Sequence, residues 1–311
     1  MTQASATSSA SGAPSGSRSA LADLVSAKWV AASLPIVAAF LWLFFEVFRR
    51  QHQFSTSEKF GEDWKHAYLV PLVSLYMLWQ VKDEVARRTP RLYWPGMLPV
   101  LAGILMYYFF LIGPRSNHMF SGAGMLLTLF GIALLFAGPS MMRLLFIPIA
   151  YLAFGLTISE AVMNAITFPL QHIATVGSHW LLSVLYTTEI AGNTLTIVLE
   201  SGREIPLNIA EACSGMRMVI AFAALGAAVA FIACDQWWQR AALLILAIPV
   251  AVFVNILRVS SLGIASIVNP DFAAGDAHMF IGTLWLIPGF LLYMGVVWAV
   301  KKIAVAPEEG S

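Results

Sequence analysis

Charged residues are scarce in this sequence. Of its 311 residues, 11% are charged and 59% are hydrophobic, whereas soluble domains carry about 25% charged residues. This scarcity excludes an ordinary water-soluble domain and predicts an integral membrane protein. The net charge of +1 provides no strongly basic surface, so we expect no nucleic-acid partner.

Cysteines and metal-binding motifs are also scarce. Two cysteines, Cys213 and Cys234, do not make a disulfide framework in a chain of this size. No His-Glu-x-x-His, Gly-x-Ser-x-Gly or phosphate-binding loop occurs, which argues against a zinc protease, a serine hydrolase and a nucleotide enzyme. His172 and His179 would lie about 10 Å apart along a helix, too far to ligate one metal ion. We expect neither a metal nor a cofactor.

Long apolar stretches dominate what is present. Residues 1–26 are mostly Ser, Ala, Gly and Thr and predict a disordered tail, followed by a membrane domain over 27–304 and a short tail over 305–311. Stretches of roughly 17 to 25 apolar residues match helices that cross a membrane. Eight stretches fit this pattern: 29–48, 66–81, 95–113, 119–138, 142–158, 214–234, 241–268 and 278–300.

Lysine and arginine mark the cytoplasmic side of membrane proteins. They occur in the segments that follow the second, sixth and eighth stretches. These segments are cytoplasmic if all eight stretches cross the membrane and both termini lie inside. The basic residues between the first two stretches contradict this arrangement, because they would lie outside. If the second stretch does not cross and the amino terminus lies outside, the stretches from residue 95 onward keep the same orientation. We therefore predict an all-α membrane protein, a polytopic bundle of about eight transmembrane helices.

The longest segment predicted on the outer side covers residues 159–212. It contains an apolar, interfacial helix over 163–185 and two alternating β-forming runs, 195–199 and 205–209, around a Ser-Gly turn. This pattern predicts a small extracytoplasmic hairpin. Pro206 in the second run predicts an edge strand, because proline cannot donate a ladder hydrogen bond. The hairpin leads directly to Cys213.

Three residues capable of chemistry fall at one predicted membrane face. Cys213 opens the sixth stretch, Arg258 lies near the outer end of the seventh, and His278 opens the eighth. Short connections favour packing between consecutive helices. A thiol, a guanidinium and an imidazole together supply a nucleophile, an oxyanion or carboxylate stabiliser and a general acid or base.

Each of these residues also has a structural interpretation. Cysteine is commonly a small buried hydrophobe, but a helix start lowers the pKa of a thiol, and Arg217 would add to that effect. Arg258 could extend to the interface, although an arginine one turn after Asn255 in an apolar stretch is more typical of a polar interior. Cys234 lies about 31 Å farther along the helix than Cys213, so we expect it to be a packing residue.

These residues resemble the exosortase/archaeosortase family of membrane transpeptidases over roughly residues 64–300. The matching elements are Ala212-Cys213-Ser214-Gly215-Met216-Arg217, Asn255-x-x-Arg258-Val259, His278 with Gly282, Pro169-Leu170-Gln171, and Trp64-x-His66 followed by Val70-Pro71-Leu72. The sequence departs from the family pattern at Ala67, where the family usually has glycine.

The resemblance implies a membrane-embedded cysteine protease or transpeptidase of the bacterial cytoplasmic membrane, with its site on the extracytoplasmic face. Its substrates would be exported proteins with a carboxy-terminal sorting tail: a Pro-Glu-Pro-like motif, a transmembrane helix and a basic cluster. Their acceptor would be water, a lipid or a glycan component.

Residue by residue, the resemblance makes Cys213 the nucleophile that forms an acyl-enzyme, Arg258 the essential arginine, and His278 the family's histidine position. Residues with a supporting role would be Arg217, Asn255, Glu211 and Ser214.

Functions of other classes stay open at this stage. A transporter would also place Arg258 and Asn255 in a cavity but would not require a thiol. A membrane acyltransferase would use Cys213 on lipid substrates and release a lipidated product. A structural scaffold leaves the intramembrane Arg258 unexplained.

Overall fold

The structure, a computed structural model, describes residues 27–57, 64–114, 116–209, 215–234, 236–269, 280–281 and 284–303. The predicted disordered tail over 1–26 and the short tail over 305–311 lie outside the described residues. The described residues all lie within the predicted membrane domain over 27–304.

The first apolar stretch forms two helices instead of one. Helix α1 (Ala27–Leu43) is separated from α2 (Phe45–Thr56) by Phe44 at φ −99° and ψ 13°. α2 continues past the end of the apolar run because its polar residues form helix-type ion pairs: Glu46 accepts from Arg49 and Arg50, each at 2.8 Å. The predicted boundary at residue 48 is therefore wrong.

The second stretch begins with a 3₁₀ turn (Lys65–Tyr68) before α3 (Val70–Gln80) and the short α4 (Lys82–Ala86). Pro71 does not interrupt this helix, because it occupies the first turn, where a backbone N–H has no intrahelical partner. The segment from Lys65 to Ala86 is thus helical for most of its length.

Helix α5 (Met97–Ile112) packs against α6 (His118–Tyr151), and α6 is a helical hairpin. Gly138 within it has φ 76° and ψ 170°, a conformation that favours glycine. The chain reverses there, because Gln51 Oε1 lies 3.4 Å from His118 Nε2 and 2.8 Å from Thr157 Oγ1, at opposite ends of the segment. The predicted break after residue 138 is confirmed, whereas the helix ends at Tyr151 and a 3₁₀ turn ends at Gly155, before the predicted residue 158.

A three-stranded sheet follows α7 (Glu160–Leu182), where the sequence predicted a hairpin. Strands β1 (Thr187–Ala191), β2 (Thr194–Val198) and β3 (Glu204–Asn208) are antiparallel in the order β1-β2-β3. The two predicted strands correspond to β2 and β3, and β1 was missed. Pro206 lies on β3 at the edge of the sheet, as its missing N–H required.

The last three long helices are α8 (Gly215–Ala233), α9 (Trp237–Val268) and α10 (Leu286–Ile303). They share one buried apolar cluster, whose members include Phe222, Ala230, Leu243, Ala247 and Tyr293. Tyr293 Oη donates to Leu243 O at 3.1 Å, which ties α10 to α9.

Four helical segments among the described residues are long and apolar enough to cross a membrane. They are Trp94–Ile112, His118–Gly155, Trp237–Val268 and Leu286–Ile303, and Ser33–Leu43 and Val219–Ala233 are shorter apolar helices. The chain is therefore a largely helical, multi-pass membrane protein. The predicted number of eight transmembrane helices stays a prediction.

Candidate functional site

The start of α8 lies level with Arg258 on α9. A Cβ on Gly226 of α8 would lie 3.1 Å from Ala247 Cβ on α9. Gly215 precedes Gly226 by eleven residues and Arg258 follows Ala247 by eleven. The two helices are antiparallel and each rises 1.5 Å per residue. Gly215 and Arg258 therefore lie at the same height, measured along the helix axes.

The start of α10 reaches the same height. Trp285, directly before α10, donates from Nε1 to Ser261 Oγ at 2.8 Å. Ser261 Oγ in turn donates to Arg258 O at 2.8 Å. This pair of hydrogen bonds connects the beginning of α10 to the helical turn that carries Arg258. We call the end of the bundle marked by Gly215, Arg258 and Trp285 the site end.

The sheet also packs at the site end. A Cβ on Gly263 of α9 would lie 2.9 Å from Leu207 and 3.3 Å from Ile197, on β3 and β2. Arg203 in the turn between these strands donates to Ile267 O at 2.6 Å. Val259, the neighbour of Arg258, belongs to the apolar cluster beneath the sheet. The sheet therefore covers the part of α9 that follows Arg258.

Arg258 is buried inside the protein. Its exposed fraction is 4%, and that of Asn255, one turn earlier, is also 4%. Asn255 Oδ1 and Ser260 Oγ are buried and have no hydrogen-bond partner among the described residues. An arginine this buried does not extend to the membrane interface, which favours the interpretation of a polar interior. In such an interior the attraction between a positive charge and a developing negative charge is stronger than in water, because the effective dielectric constant is lower.

Four of the other predicted site residues belong to parts of the chain that the structure does not describe. Cys213, Glu211, Ser214 and His278 lie outside the described residues. Arg217 lies in the first turn of α8, where the backbone alone is described. What the structure brings together is therefore the three helix segments that flank or carry the predicted trio, with Arg258 as the described member.

The early segment of the chain reaches the site end as well. Trp64 is 1% exposed and packs against Ile220 in the second turn of α8. His66 Nε2 donates to Phe154 O at 3.1 Å. Beside Trp64 lies a cleft of about 280 Å³. Its lining residues are Phe54, Trp64, Thr157, Ile158, Glu160, Met163 and Asn164.

Sequence reasoning missed Ser261 and Trp285. Ser261 stands in an otherwise apolar stretch beside Ser260, and such hydroxyls commonly join membrane helices. That signal existed, but it did not identify Trp285 as the partner 24 residues away. Pairing across helices depends on rotation of each helix, which the sequence does not fix.

Cys234 lies at the opposite end of α8. It is 2% exposed and packs in the apolar cluster of α8, α9 and α10. Its backbone carbonyl accepts from Arg240 Nε at 2.9 Å. The prediction that Cys234 is a packing residue is confirmed, which makes it a suitable control for Cys213.

A family model described as transmembrane exosortase matches residues 56–298. The match covers most of the chain and includes α8, α9 and the segment between them and α10. No curated protein matches the chain, and no solved structure does.

Proposed function

Because the chain belongs to the transmembrane exosortase family, we propose that it is a cysteine transpeptidase that removes the carboxy-terminal sorting tail of exported proteins. Family membership makes a membrane transpeptidase acting on exported proteins the general function. The observation that carries the specific proposal is the common height of Gly215, Arg258 and Trp285. Cys213 precedes Gly215 by two residues, and His278 precedes Trp285 by seven.

The proposed first step is attack by the Cys213 thiolate on the carbonyl carbon of the scissile peptide bond. The S–C bond forms, the C–N bond breaks, and His278 gives a proton to the departing amine of the tail. Arg258 balances the negative charge that develops on the carbonyl oxygen, or orients the substrate. The product of this step is a thioester between Cys213 and the exported protein.

The proposed second step transfers the exported protein to an acceptor. His278 removes a proton from the acceptor hydroxyl or amine, which attacks the thioester carbon, and the Cys213 thiolate leaves. Water, a lipid or a glycan component serves as the acceptor. Asn255 and Arg217, together with Glu211 and Ser214, support the reacting groups. We place this chemistry at the extracytoplasmic face of the bacterial cytoplasmic membrane.

An in-cell processing assay tests the proposal. A reporter that ends in a Pro-Glu-Pro-type motif, a transmembrane helix and a basic cluster is co-expressed with wild type, Cys213→Ser and Cys234→Ser, and its mass is followed. We expect tail loss with wild type and with Cys234→Ser, because Cys234 packs in the core, and none with Cys213→Ser. The mass added to the product identifies the acceptor.

The same assay separates the alternative functions. Processing that persists with Cys213→Ser would contradict the proposed mechanism. A lipid attached to an uncleaved reporter through Cys213 would favour the acyltransferase. If no reporter is cleaved, including one with a tail from the native host, solute flux that survives Cys213→Ser would favour a transporter.

A further inference from the structure

An apolar groove of about 530 Å³ runs between α3, α8 and α10. Its floor is one face of α8, and its walls are formed by α3 on one side and α10 on the other. The lining residues are Leu72, Val73 and Tyr76 of α3, Leu225, Ala228, Val229, Ile232 and Ala233 of α8, and Met294 and Val297 of α10.

The shape of the groove suits an entering helix. The α8 residues recur at helical spacing, so they form one continuous stripe instead of scattered positions. Ala228 and Ala233 are small and allow a second helix backbone to approach closely. Toward the site end, Leu69 and Ile287 are exposed apolar residues at helical spacing from the wall residues Leu72 and Met294.

The position of the groove along α8 relates it to the proposed nucleophile. From Leu225 to Ala233 the groove extends about 12 Å, and Gly215 lies about 15 Å beyond Leu225 at 1.5 Å per residue. The distance along α8 from Ala233, at the far end of the groove, to Gly215 is therefore about 27 Å, close to the ~30 Å hydrocarbon core of a bilayer. A membrane-spanning helix that occupies the groove and continues along α8 would therefore end near the level of Gly215, two residues after the proposed nucleophile in the sequence.

We propose that this groove receives the transmembrane helix of the sorting tail. The inference rests on the proposed function, in which the scissile bond precedes the tail helix and must reach Cys213. The tail helix lies parallel to α8, with its amino-terminal end at the site end. This arrangement delivers the preceding motif to the helix start, while the apolar wall residues replace lipid around the tail.

Thiol cross-linking tests the location without requiring activity. Val229→Cys is made in an enzyme that also carries Cys213→Ser and Cys234→Ser, and the reporter has one cysteine at successive positions of its tail helix. Ile248→Cys is the matched control, because Ile248 lies on α9 outside the groove and is 51% exposed. We expect an oxidised enzyme–reporter adduct with Val229→Cys at tail positions one helical turn apart, and none with Ile248→Cys.

A groove-filling variant tests the functional role. Val229→Phe narrows the groove, and Val37→Phe, at a 51% exposed position of α1, makes the same change away from it. We expect Val229→Phe to lower kcat/KM about tenfold, equivalent to about 1.4 kcal/mol, mainly through a higher KM, since remote binding is removed. Val37→Phe should match wild type.

The outcomes distinguish this inference from the proposed function. Cys213-dependent processing without any Val229→Cys adduct would overturn the groove assignment alone. An adduct between two enzyme copies without reporter would assign the groove to a dimer instead. If the adduct forms but wild type cleaves no reporter, the groove binds the tail helix and the transpeptidase proposal fails. A Val229→Phe variant with unchanged KM would also count against the groove.

Discussion

At the residue scale, the burial of Arg258 is the most informative observation. A charged side chain inside a membrane helix is costly and persists where it serves a polar interior. Asn255 shares this interior and has a buried oxygen with no partner among the described residues. The sequence already indicated both residues, because they interrupt an apolar stretch. The structure added that Arg258 faces the protein and not the interface.

Replacing Arg258 by lysine is a sharp test of its proposed role. We expect the rate of reporter processing to fall by about 10²- to 10³-fold, the usual loss when one oxyanion donor is removed, because lysine does not reproduce the planar fork of arginine. Initial rates in membranes measure the effect. Arg240→Lys on the same helix is the control, since Arg240 lies at the opposite end beside Cys234. A rate for Arg258→Lys near that of wild type would remove Arg258 from the mechanism.

At the element scale, helix contacts determine whether the site is assembled. Trp285, Ser261 and Arg258 O form one hydrogen-bonded series between α10 and α9. The helix that begins after His278 is thereby positioned relative to the turn of Arg258. The hydrogen-bonding residues are polar positions in apolar stretches, and the sequence did not show which of them meet.

Removal of the Ser261–Trp285 hydrogen bond should slow processing while the fold is kept. We expect Ser261→Ala and Trp285→Phe each to lower the rate about fivefold, for the loss of about 1 kcal/mol, and the double variant to lower it no further. Ser266→Ala is the control, because Ser266 Oγ donates within its own helix, to Leu262 O at 2.8 Å. Strictly additive losses would show that the two side chains act independently.

Close packing between α5 and the part of α6 before Gly138 should make the stability of the protein sensitive to added side-chain volume. A Cβ on Gly103 would lie 2.6 Å from the backbone oxygen of Gly124, so the helices would have to separate. We expect Gly103→Ala to destabilise the protein by about 1–3 kcal/mol, seen as a lower Tm in detergent. For Gly295→Ala on α10, nothing lies within 4 Å of the new Cβ, and we expect a Tm near that of wild type.

At the scale of the whole molecule, the described helices define two ends. The sheet, the start of α8 and Trp64 lie at the site end. Gly138, against Arg91, and Cys234, beside Arg240, lie at the other. The clusters of basic residues predicted to be cytoplasmic therefore belong to the end opposite the sheet, which supports the proposed orientation.

Cysteine labelling in intact cells measures this orientation. In a background with Cys213→Ser and Cys234→Ser, a membrane-impermeant maleimide should label Ser201→Cys, in the turn between β2 and β3, without permeabilisation. Thr89→Cys, in the basic segment after α4, should react only after the membrane is opened. The reverse pattern would place the site end in the cytoplasm and contradict the proposed localisation.

The class of the molecule can be read from its amino-acid sequence. A deficit of charge, apolar stretches and the series Cys213, Arg258 and His278 were sufficient for a multi-pass membrane protein of the exosortase family. These properties are local: whether a stretch is apolar, and which reactive residues begin or end it, can be read without knowing its neighbours. For the same reason the break between the stretches 119–138 and 142–158 was predicted correctly.

Which side chains and helices meet depends on the three-dimensional packing of the chain. Strand β1 was missed because its pairing with β2, and not a strong local pattern, makes it a strand. The Ser261–Trp285 bond, the common height of Gly215 and Arg258 and the groove on α8 depend on the rotation and relative shift of packed helices. Those quantities are fixed by close contacts between residues far apart in the chain, so no local pattern contains them.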